Sequence, residues 1–244
     1  MASSDILRLT DAVNEQSLLK LFSTSIDVSK GVSISFDFSS YGGTGGDGFG
    51  LLFIDGSQSP SQAGGFGGSL GYAPRTDKNT PGIAGGYLGV GFDEFGNFST
   101  AIEGRVGGSG FAPDAIAVRG SQTNGYNFLA GTGTLPVSLD NPGSQATAAN
   151  SKRRAQVDLT PTGDLSVQVD LNNNNIFETG EKLIALNVIG AGNLDKDGKL
   201  ALPSTLKFGF AGSTGLFNNI HEISSFKITT SDGTPVVGSL MVLS

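Results

Sequence analysis

The chain contains no cysteine, which excludes disulfides and thiolate metal sites outright. Of its 244 residues only one, His221, is a histidine. A lone imidazole makes neither a serine-type triad nor a zinc centre convincing. His221 therefore reads as a structural side chain, hydrogen-bonded near the start of a strand. No apolar run approaches the ~18 residues of a transmembrane helix, and helical periodicity is nearly absent. Positive charge is scarce: 15 Lys and Arg against 22 Asp and Glu give a formal net charge of −7, with a pI near 4.6. Such a surface repels nucleic acid and anionic membrane, so neither is an expected partner. The opening Met1-Ala2-Ser3-Ser4-Asp5 lacks the basic and apolar regions of a signal peptide. Three readings stay open there: a signal already removed, a domain of a longer chain, or a protein that stays inside.

Glycine is abundant instead, at 38 residues, roughly twice its usual share. Glycine is costly in helices and useful in turns, bulges and close backbone approaches. Period-2 alternation recurs along the chain. Val32, Ile34, Phe36 and Phe38 alternate with Ser33, Ser35 and Asp37, and Leu88, Val90 and Phe92 with Gly89, Gly91 and Asp93. Ala155, Val157 and Leu159, then Leu165, Val167 and Val169, flank the turn Thr160–Asp164 and predict a hairpin. Further strands are expected at Gly50–Ile54, Ala115–Arg119, Lys182–Leu186, Leu206–Ala211, Ile220–Ile228 and Val236–Leu243. With the Gly131–Asn150 stretch read as a surface loop, these predict one all-β sandwich domain over 1–244.

Three glycine-rich loops carry unusual combinations. Tyr41–Phe49 presents Asp47 among glycines at a strand entrance. Phe92–Phe98 offers Asp93, the Phe95 carbonyl and Asn97, three oxygens of the kind calcium accepts. Alternation puts Asp93 and Phe95 on one face and Glu94 on the other. Gly209–Ile223 holds Leu216, Phe217 and His221. Ordinary turn chemistry is the competing reading for the first two, since Asp, Asn and Gly are common turn residues. A fourth segment, Asp170–Glu181, spaces oxygens at Asp170, Asn172, Asn174 and Glu181 like an EF-hand loop, with Asn175 at the usual glycine position. Flanking strands rather than helices leave an asparagine-rich hairpin tip as its alternative.

In their order these pieces resemble the L-type (legume-like) lectin family, in particular its bacterial branch. The resemblance runs from Leu7–Ala12 through Phe36-Asp37-Phe38, Gly46-Asp47-Gly48, Gly68–Gly71 and Val90–Asn97 to Gly209–Ile223, nearly the whole chain. It implies a concanavalin A-like jelly-roll sandwich of two antiparallel sheets, a glycan or polysaccharide ligand, and an extracellular or cell-surface setting. By the same resemblance Asp93, the Phe95 carbonyl and Asn97 would hold calcium. Asp47, after a cis bond from Gly46, would accept a sugar hydroxyl, Gly68 and Asn97 would donate, and Phe95 would give an aromatic platform. Leu216 and Phe217 fall in the specificity loop. Homo-oligomers through the back sheet are compatible with the family.

The chain departs from the family pattern at Gly91 and Thr100, where acidic metal ligands are usual, and has no metal-ligand histidine near Asp114 or Ala115. The transition-metal site is thus expected to be lost, and calcium to take a further ligand from Glu103 or Asp114 or to bind weakly. A glycoside hydrolase of this architecture would need two carboxyls flanking the scissile bond, about 5–5.5 Å or 6.5–9.5 Å apart. Gly89 and Gly91 stand where such acids would share a face with Asp93, so the expectation is binding without hydrolysis. A structural or adhesive module that has lost sugar binding is the alternative.

Overall fold

The computed structural model describes residues 6–236 and 240–243. In chain order the strands are β1 (Leu7–Thr10), β2 (Ser17–Phe22), β3 (Ile26–Asp27), β4 (Val32–Tyr41), β5 (Gly48–Asp55), β6 (Gly86–Asp93) and β7 (Ala115–Arg119). They continue with β8 (Phe128–Gly131), β9 (Lys152–Leu159), β10 (Asp164–Val169), β11 (Lys182–Asn187), β12 (Thr205–Ser213), β13 (Ile220–Thr229) and β14 (Leu240–Leu243). Of the expected Val236–Leu243 strand, Leu240–Leu243 forms, and 237–239 lie outside the described residues. Among the described residues no helix is long and apolar enough to cross a membrane.

Two antiparallel sheets stack as a jelly-roll sandwich. One is ordered β1-β13-β4-β9-β10-β11; the other is β14-β2-β12-β5-β6-β7-β8, with β3 paired to β12. The predicted hairpin is β9–β10, with Leu165 opposite Leu159. Between the sheets lies the main core. Phe36 and Phe38 from β4 meet Phe49, Phe92 and Phe210 from the opposite sheet. Phe49 and Phe92 stack at 4.6 Å and 7°. Full burial of each such ring stabilises by about 1.5–3 kcal/mol relative to exposure.

A second cluster covers the other face of the larger sheet, where Leu52, Ile54 and Ala117 pack under Leu70, Tyr72, Phe98 and Tyr126 from the loops. This explains the unbroken apolar run of β5, which is buried on both faces. It also explains the glycines of β6. A Cβ on Gly89 would lie 2.4 Å from the Tyr72 ring, and one on Gly91 2.5 Å from the Phe98 ring. At Gly91, one of the positions where the resemblance leads one to expect an acidic ligand, the Phe98 ring fills the space. These ring-filled loops form the floor on which the candidate site sits.

Candidate functional site

The site gathers where the loop before β5 meets the loops after β6 and β12. Gly46 adopts φ 140° and joins Asp47 through a cis peptide bond, as the resemblance implied. A Cβ on Gly46 would approach those of Phe217 and Phe95 to 3.2 and 3.3 Å, so only glycine leaves both neighbours in place. The Asp47 backbone is pinned on both sides. Its N–H donates to Ser213 O at 3.1 Å, and its carbonyl accepts from the amides of Glu94 (3.0 Å) and Phe95 (3.2 Å). The carboxylate is 4 % exposed, and its Oδ2 has no hydrogen-bond partner. It lies against Gly215, where a Cβ would stand 2.6 Å from it. Burial pushes the Asp47 carboxyl up to about 7, helped by the charge of Glu94 and opposed by His221 and Arg75.

Asp93 closes β6 fully buried. Its Oδ1 accepts from Gly96 N (2.8 Å) and its Oδ2 from Phe98 N (2.7 Å), which folds the Glu94–Asn97 turn beneath the site. Burial raises this carboxyl to about 8, although the two amides pull it down. The Asn97 amide lies on Gly68, where a Cβ would fall 1.9 Å from its Oδ1, and that oxygen too is buried without a partner. Phe95 stacks on Phe217 at 5.0 Å and meets Phe111 edge-on at 5.5 Å. Phe111, Phe217 and Leu216 are 61 %, 43 % and 82 % exposed. The structure therefore brings Asp47, Gly68, Asp93, Phe95, Asn97 and Phe217 together, with Leu216 at the rim. Phe111 joins them unforeseen, since an isolated aromatic in a glycine-rich loop carries no sequence signal.

Glu94 turns the other way, as alternation required, and is paired within the fold. His221 Nε2 lies 3.0 Å from its Oε1, and Asn219 Nδ2 donates to Oε2 at 2.9 Å. The Thr10 hydroxyl donates to Asn219 O and meets His221 Nδ1 at 2.6 Å. Burial alone would raise the Glu94 carboxyl; attraction to His221 and the hydrogen bonds of His221 and Asn219 outweigh it and hold Glu94 below its ordinary value. His221 is thus the structural residue expected.

The oxygen set Asp93, Phe95 O and Asn97 fits a calcium ion on two counts. Asn97 Oδ1 is buried with unused acceptor capacity, and Asp93 is a buried carboxylate paired with amides alone. The set is poor in charge, because no group of three or more acidic or histidine side chains forms a metal site among the described residues. The further ligands expected are committed elsewhere. Glu103 pairs with Arg105 (3.0 Å) and Arg75 (3.6 Å), while Asp114 Oδ1 accepts from Leu139 N and Ser138 Oγ. The Asp170–Glu181 loop belongs to the other sheet. There Asp170 accepts from the amides of Asn174 and Asn175, Asn172 from Asn174, Asn174 from Ile176, and Glu181 from Leu171 and Glu178. The loop closes on its own amides, with Asn175 at φ 66°.

No protein-family model matches the chain, and no curated protein matches it in sequence. Solved structures do. The exoplasmic/lumenal domain of VIP36, in a form bound to Ca2+ and mannose, superposes with a TM-score of 0.61 at 16 % identity, over 99 % of this chain and 86 % of that one. A Lotus tetragonolobus seed lectin gives 0.59 at 18 %, over 98 % and 91 %. Peanut lectin with a bound 9mer peptide gives 0.57 at 21 %, over 96 % and 86 %. The fold is that of the L-type lectins.

Proposed function

We propose that the chain is a carbohydrate-binding module, a lectin that recognises glycans at the Asp47–Asn97 site without hydrolysing them. The observation that carries this reading is a buried carboxylate oxygen with unfilled acceptor capacity, Asp47 Oδ2, beside exposed aromatic surface. A pyranose brings hydroxyls for the first and an apolar face for the second. Because a sugar in water is already hydrogen-bonded, affinity requires acceptors held rigidly in place. The Asp47 backbone bonds and the Gly68 contact provide that rigidity, and an ionised Asp47 makes stronger bonds than a neutral group. The reading of binding without catalysis is supported by Glu94, which is turned to His221 rather than toward the ligand.

Calcium held by Asp93, the Phe95 carbonyl and Asn97 would neutralise the Asp93 charge and fix the Asn97 amide. One carboxylate among neutral oxygens implies modest affinity for the ion. The mannose-bound VIP36 domain of the same fold supports a sugar ligand here, and an extracellular or cell-surface setting, as in the bacterial lectin-like proteins, accords with that use. A glycan array probed with the purified chain, in calcium and after EDTA, tests the reading. Binding that weakens in EDTA and disappears in Asp47→Ala and Asn97→Ala is expected. A folded chain that binds no glycan in either condition makes it a structural or adhesive module instead.

A further inference from the structure

Arg119, at the end of β7, lies opposite Gly89 of β6 and shares the face that carries Gly91 and Asp93. It is fully buried, and no carboxylate pairs with it among the described residues. A guanidinium has five N–H donors and no acceptor. All five are used on backbone carbonyls. Nε donates to Phe98 O (2.9 Å), Nη1 to Val106 O (2.9 Å) and Tyr126 O (2.9 Å), and Nη2 to Thr100 O (2.8 Å) and Gly107 O (3.2 Å). Its Cζ also lies 5.3 Å from the centroid of the Phe98 ring. Four of these carbonyls belong to one loop, 98–107, which begins at the residue after Asn97. Five carbonyl dipoles thus converge on one buried positive charge, the arrangement a bound metal ion imposes on a loop. Arg105, within the same loop, ties it to the Gly68 segment by donating to Ser69 Oγ at 2.8 Å.

We infer that Arg119 is a positioning residue of the site: its guanidinium supplies, from within the chain, the cation that orders the loop following Asn97, so that the loop keeps its shape without a metal ion. Calcium is left the local task of orienting the Asn97 amide and balancing Asp93. The ordering role stands on the hydrogen bonds alone; its consequence for sugar affinity rests on the lectin reading.

Hydrogen–deuterium exchange of the folded chain tests it, following peptides across 97–108 and across β9 and β10 as an internal reference. In wild type, adding EDTA in place of calcium is expected to change exchange of 97–108 by less than about twofold. Arg119→Lys keeps a charge but has three donors in place of five. It is expected to speed exchange of 97–108 by about tenfold or more while β9 and β10 stay protected, and to weaken glycan binding. Wild-type 97–108 that loses protection in EDTA overturns the inference. So does an Arg119→Lys chain that loosens both sheets equally, which marks a general core role. Should Arg119→Lys fail to fold, the wild-type comparison decides alone. Absence of glycan binding by wild type would defeat the lectin reading while leaving the exchange result to judge Arg119.

Discussion

At Asp47 a carboxylate is buried, anchored through its backbone and left with one oxygen unpaired. Asp47→Asn keeps the shape and removes the charge. Because the Asn oxygen still accepts, the loss is the difference between a charged and a neutral hydrogen bond, about 1–1.5 kcal/mol, and the substitution should weaken glycan affinity roughly 5- to 12-fold, as titration calorimetry would read. His221→Ala addresses stability instead. It removes the partner on Glu94 Oε1 and leaves Asn219 on Oε2, and losing one partner of a buried acceptor costs about 1–3 kcal/mol, visible as an earlier midpoint in urea. The sequence pointed to Asp47, Asp93 and Asn97 because acids and amides among glycines stand out. Arg119 did not stand out. In Ala-Ile-Ala-Val-Arg it reads as the polar end of a strand, and its partners lie 7 to 21 residues away in loops without pattern.

Among the elements, β5 and β6 show how one sheet serves two cores. Gly89 and Gly91 of β6 are small because the Tyr72 and Phe98 rings from the loops lie on them. Gly91→Ala should therefore force Phe98 aside and cost about 1–3 kcal/mol by overpacking, measurable by thermal melting. Because Phe98 follows Asn97, the same variant should also weaken glycan binding. Long alternating strands such as β4 and β9 were legible. β2 was not, since Leu18 and Leu19 interrupt its alternation; nor was β8, a four-residue half-buried edge. The partners of Glu103 and Asp114, the residues offered as further calcium ligands, were not legible either: Arg75 and Leu139 are brought in by folding.

At the scale of the whole molecule, the larger sheet contributes residues to both hydrophobic clusters, so neither can be lost without exposing the other. Unfolding should accordingly be one cooperative transition, with far-UV circular dichroism and tyrosine emission superimposing; Tyr72, Tyr87 and Tyr126 are buried reporters. The sandwich was readable from strand periodicity and glycine content, whereas the position of each loop above the sheet depends on contacts distant in sequence. The central claim is that a glycan sits where Asp47, Gly68, Asn97 and the Phe95–Phe217 pair converge. The most direct test is amide chemical-shift mapping with the strongest glycan from the array. Shifts concentrated at 46–48, 67–69, 95–98 and 215–217 are predicted. Shifts confined to β9–β11 on the opposite sheet, with those loops unmoved, would contradict it.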